Sequence, residues 1–108
     1  MGVITDSSRV QYLLNQKIDL EYKIQLVTQA KSNLAFANAD LMQVGSDYAP
    51  DSPVVKQLNQ RQAKLKAMEQ KLDQQMEQYR IRVQMVEAEL QACRGRLRSG
   101  IGESFRYQ

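Results

Sequence analysis

Apolar residues return at every seventh position through the first part of the chain. Leu13, Leu20, Val27, Leu34 and Leu41 keep that interval, and Val10, Ile24, Ala30, Ala37 and Val44 fill the same helical face. The second part repeats the pattern more strictly. Leu58, Leu65, Leu72, Tyr79, Val86 and Cys93 form one heptad position; Val55, Gln62, Glu69, Met76, Val83, Leu90 and Leu97 form the other. Six unbroken heptads are the signature of a coiled-coil seam, here centred on Leu58, Leu65, Leu72, Met76, Tyr79, Val83, Val86 and Leu90.

Both prolines fall in one interruption, "VGSDYAPDSPVV", residues 44–55. Gly45 is expected to end the first helix, because glycine tolerates the left-handed backbone common at helix termini. Ser52 and Pro53 read as N-cap and first helical position, where the missing proline amide costs nothing. Asp51 puts negative charge beside the positive end of the new helix dipole. Asp6, Ser7 and Ser8 are candidate N-caps for the first helix. The expectation is one all-α domain over residues 1–108, an antiparallel helical hairpin or coiled coil. Its helices span about 7–44 and 53–98, its turn 45–52, with an arm at 1–6 and a flexible or short-helical tail at 99–108.

A two-stranded hairpin needs one apolar face per helix, and this sequence has more. Ile81, Met85, Ala88 and Ala92 advance by four, three and four residues, opposite the seam. In the first helix Tyr12, Leu14, Ile18, Tyr22 and Leu26 also sit off the main seam. An antiparallel hairpin brings these two regions side by side near its open end. Leu14, Ile18, Tyr22, Ile81, Met85, Ala88 and Ala92 are therefore the candidate association residues. Burying one large apolar side chain contributes on the order of 1.5–3 kcal/mol, so several of them constitute a drive to associate. Either the tail folds back over this surface or other chains cover it, and self-association or docking of partner helices is the expectation.

Composition narrows the chemistry. The chain has no His and no Trp, a single Cys and fifteen Gln. Without His, the commonest metal ligand and acid–base catalyst is missing. There is no zinc or calcium spacing, and "GIG" at residues 100–102 lacks the context of a dinucleotide loop. Neither an enzyme nor a cofactor is expected. Cys93 beside Arg94 could be a reactive thiol, but its seam position favours a small buried side chain. The net charge of +3 is uneven: residues 1–53 sum to −2, residues 54–93 to +2 and residues 94–108 to +3. Arg94, Arg96 and Arg98 could bind phosphates, yet few aromatics are interleaved with them, so nucleic acid is not an expected partner. No cleaved signal and no membrane span are expected, which leaves a cytoplasmic protein or one exported without a cleaved signal peptide.

The turn Pro50-Asp51-Ser52-Pro53 and the ending with Ile101 and Phe105-Arg106 resemble the needle subunits of bacterial type III secretion systems. Those are small helical hairpins with a Pro-x-x-Pro turn. The resemblance spans about residues 44–108 and implies a non-enzymatic structural subunit, exported without a cleaved signal, that assembles into a filament. It also implies a role for Ile101, Phe105 and Arg106 in the tail. This chain is longer than a typical needle subunit and carries glycines and an arginine cluster in its last segment. The alternative is a coiled-coil adaptor, stalk or chaperone, like the small hairpin proteins that accompany secretion ATPases, which binds partner helices.

Overall fold

A computed structural model describes the backbone of residues 2–106 and the side chains of residues 2–101. Two helices make up the fold: α1, Gly2–Gly45, and α2, Pro53–Arg106. They pair antiparallel as a helical hairpin, the architecture the heptads predict. The chain divides into two compact units, one of residues 1–24 with 79–108 and one of residues 25–78.

The unit of residues 25–78 contains the turn. Val27, Leu58 and Met76 are buried, while Ala30, Leu34, Ala37, Leu41, Leu65 and Leu72 are half-buried. Lys31 and Asp73 form an ion pair between the helices. Two polar residues interrupt the apolar seam of α2 here, and they fare differently: Gln62 is half-buried and Glu69 stays exposed. A carboxylate without a partner would pay a large desolvation cost in the seam, so the helices leave it in water.

The turn follows the expected chemistry at its second half. The Val54 N–H donates to Ser52 Oγ at 3.2 Å, and the Ser52 carbonyl accepts from Val55 and Lys56 at 3.1 and 3.3 Å. Ser52 is thus the N-cap and Pro53 the first helical residue. The first half ends α1 at Gly45 as expected, but by another backbone route. No glycine among the described residues has positive φ, so Gly45 does not close α1 through a left-handed residue. The Asp47 and Tyr48 amides instead donate to Val44 and Gly45 carbonyls at 3.2 and 3.3 Å. These three-residue spacings tighten the last turn and satisfy carbonyls that the helix would otherwise orphan.

In the unit of residues 1–24 and 79–108, both helices outrun their predicted ends. Helix α1 starts at Gly2, so residues 2–6 of the expected arm are helical and Asp6, Ser7 and Ser8 lie inside the helix. Two contacts favour this over capping. Asp6 accepts from Arg96 Nε at 3.1 Å, and Val3 lies against Gly100, where a Cβ would stand 2.9 Å from Val3 Cγ2. Helix α2 continues through the glycines to Arg106. As far as Arg106 the tail backbone therefore extends α2 and does not fold back over the hairpin.

Those glycines give a test. Nothing lies within 4 Å of a Cβ placed on Gly95, whereas Gly100 is crowded by Val3. Gly95→Ala is expected to raise unfolding stability by about 0.5–1 kcal/mol, the usual gain from removing a helical glycine. Gly100→Ala is expected to gain nothing, because stiff, β-branched Val3 must move first. Urea unfolding followed by circular dichroism compares the two; equal gains would show that the Val3–Gly100 approach is not a real constraint.

Candidate association faces

The unit of residues 1–24 and 79–108 has a small core. Leu13, Leu90 and Cys93 form one buried cluster, with Val10, Leu14 and Val86 packed partly against it. Leu13 and Leu90 are 2% and 3% exposed and Cys93 is fully buried. The Arg96 guanidinium, not Arg94, approaches the thiol, donating to Cys93 Sγ at 3.0 Å. The placement of Cys93 is that of a small core residue.

Polar contacts fix the register of the two helices. Arg9 Nε donates to Glu89 Oε1 at 2.9 Å, Lys17 Nζ lies 3.5 Å from Glu87, and Arg96 pairs with Asp6. The hydrogen bond to Glu89 raises the Arg9 guanidinium above its ordinary value, and the hydrogen bond to Asp6 does the same for Arg96. The Arg9 guanidinium also lies over the Tyr12 ring, 5.1 Å from its centroid. Solvent-exposed pairs of this kind specify alignment more than they stabilise.

From the Leu13–Leu90 level, the geometry of the second stripes follows. Tyr22 is nine residues after Leu13, about two and a half helical turns, so it points away from α2. Ile81 is nine residues before Leu90 and points away from α1 for the same reason. Ile18 and Met85 are each five residues from that level, about 140° around, which puts them on the flanks; Met85 lines a shallow groove with Gln16, Asp19, Leu20 and Lys23 of α1. The exposures agree: Ile18 65%, Tyr22 58%, Ile81 49% and Met85 66%. Because the helices run antiparallel, Tyr22 stands level with Ile81 and Ile18 with Met85. Tyr22 and Ile81 are thus level along the helices but back to back across the hairpin, whereas Met85 lies on one flank beside α1.

Other expected residues divide. Ala88 and Ala92 are exposed and continue the outer line of α2, where small side chains permit close approach of another helix. Leu14 belongs partly to the core, half-buried against the Leu13 cluster. Ile101 is 48% exposed near the end of α2, and the side chains of Phe105 and Arg106 lie outside the described residues. Ile4, 75% exposed, falls in the expected arm 1–6 and is not among the candidate residues. It precedes Tyr22 by eighteen residues, about five full turns, and lies on the same outer line of α1. That spacing was the available signal.

In the unit of residues 25–78, a groove of about 520 Å³ opens beside Ala30, Leu34, Ala37, Met68 and Leu72. It arises because the two alanines are too short to fill the seam. Among the described residues, no group of three or more His, Cys, Asp or Glu could hold a metal ion, and no helix is long and apolar enough to cross a membrane. No known protein family, curated protein or solved structure matches this chain.

Proposed function

We propose that the protein is a non-enzymatic structural subunit, a helical hairpin that associates with copies of itself through its two outer apolar faces to build a filament or needle-like assembly. One observation carries this reading: Ile18 and Tyr22 on α1, and Ile81 and Met85 on α2, all stand in water although each belongs to a helical stripe. Isolated exposed hydrophobics are ordinary on any protein; stripes of them at helical spacing on both helices, level with each other, offer an association surface. The Pro50-Asp51-Ser52-Pro53 turn, with Ser52 capping α2, fits the resemblance to secretion needle subunits.

Sedimentation velocity across a wide concentration range tests it. The sedimentation coefficient is expected to climb steadily with concentration, without a plateau at a closed dimer. A strict monomer at every concentration would remove self-assembly. The groove beside Ala30 and Ala37 favours the second reading, a coiled-coil adaptor whose partner supplies the apolar side chains that fill that gap.

A further inference from the structure

We infer that the apolar groove in the unit of residues 25–78 docks an acidic amphipathic helix of a partner protein, laid along the hairpin as a third helix. Such docking presupposes the adaptor role proposed above, in which a partner fills this groove, and specifies the partner's chemistry; it is separate from the stripes around Tyr22 and Ile81. The apolar requirement follows from helix spacing. Ala30 and Ala37 stand one heptad apart on α1 and leave the groove of about 520 Å³ beside Met68 and Leu72. Met68 is 53% exposed there. Leu26, 47% exposed, stands one heptad before the lining residue Asn33 and carries the apolar line about two turns further. The surface is a strip between two helices whose apolar positions recur at the heptad interval. A helix presenting one apolar face at the same interval has the shape to cover it.

Charge decides which helix. Lys71 stands on the α2 rim of the groove. Lys64 is one heptad before Lys71, and Arg61 one heptad before Met68, so both continue that rim towards the turn. All three are exposed, and none forms an ion pair among the described residues. The acids of this stretch of α2 are placed elsewhere: Glu69 lines a different groove, with Lys66 and Met42, and Asp73 pairs with Lys31. Across the groove the α1 rim carries uncharged Asn33, and Asp40 lies about one turn past Ala37, outside the lining. The groove is thus apolar along its floor and positive along one rim. The groove face of a second copy offers that rim only Asp40, whereas acids flanking a partner's apolar face can meet all three bases. Opposite charge at the rim of an apolar contact selects the partner and its orientation.

Synthetic amphipathic peptides several heptads long, titrated against the whole chain by fluorescence anisotropy, test this. One peptide carries leucines on one face flanked by glutamates, a second has lysine in place of each glutamate, and a third has alanine in place of each leucine. The glutamate–leucine peptide is expected to bind, the lysine version about tenfold more weakly or worse, and the alanine version not measurably. Filling the groove with Ala30→Leu plus Ala37→Leu is expected to abolish binding, with circular dichroism confirming that the helices remain. Lys64→Glu with Lys71→Glu is expected to reverse the preference towards the lysine peptide, a result that loss of folding cannot produce. Equal binding of the two charged peptides, or a preference unmoved by charge reversal, would overturn the acidic partner while leaving the adaptor role standing. Absence of binding by either leucine peptide would defeat that role as well. Binding that survives filling the groove would place the contact elsewhere and overturn the inference. Sedimentation of the protein alone supplies the last arm: association lost when the groove is filled would make a second copy its occupant, which also overturns it.

Discussion

Leu13→Ala is expected to destabilise the hairpin by about 2–4 kcal/mol, within the range for truncating a buried leucine. Leu13 is 2% exposed, and among the described residues the other buried side chains in its cluster are Leu90 and Cys93. A core this thin has little redundancy. Small domains are stable by only about 5–15 kcal/mol, so one truncation removes a large share. The two-layer geometry holds the loss below the upper end of the leucine range, because α2 can settle partly into the gap and water can reach its rim. Ile18→Ala is the matched control: the side chain is 65% exposed, so its loss should cost about 0.5 kcal/mol or less in the monomer. Both are measured by urea unfolding of dilute protein, where mass action does not add association energy to the folded state. Equal effects at the two positions would mean that the seam and the outer stripe have been interchanged.

The heptads made the hairpin legible before any coordinates. Apolar residues spaced at three and four positions can bury together only on one side of a helix, and the sole proline cluster allowed only one reversal. Ser52 and Pro53 were legible because capping is local: the hydroxyl, the amides it accepts from and the proline all lie within four residues. The start of α1 was not legible. Asp6, Ser7 and Ser8 are good caps taken alone, but Asp6 meets Arg96 and Val3 meets Gly100, partners ninety or more positions away. The end of α1 at Gly45 was legible, but its backbone conformation was not. Glycine permits a left-handed residue without requiring one, and the carbonyls found partners in Asp47 and Tyr48.

The association stripes were half legible. Periodicity separates an outer face from a seam within each helix, and the exposed positions of Ile18, Tyr22, Ile81 and Met85 agree with that separation. What periodicity cannot provide is the register between helices. The Leu13, Leu90 and Cys93 cluster, with the pairs Arg9–Glu89 and Lys17–Glu87, places Tyr22 level with Ile81, and the groove beside Asp19 and Leu20 places Met85 on a flank of the hairpin.

Ile81→Asp combined with Met85→Asp is expected to abolish self-association over the accessible concentration range while leaving helicity nearly unchanged. Burying an isoleucine and a methionine contributes on the order of 1.5–3 kcal/mol each, together about a 100- to 10,000-fold change in affinity. The loss should lie toward the larger figure, since a carboxylate facing an apolar neighbour must be desolvated or keep the surfaces apart. Within the monomer the same change is mild. Both side chains are about half-exposed or more, and aspartate costs a helix interior only some tenths of a kcal/mol relative to the residues it replaces. Far-ultraviolet circular dichroism together with sedimentation separates the two effects. Lost association with retained helicity identifies the outer face of α2 as a contact between copies. Retained association would move that contact elsewhere, and unfolding would make Ile81 and Met85 part of the hairpin's own core.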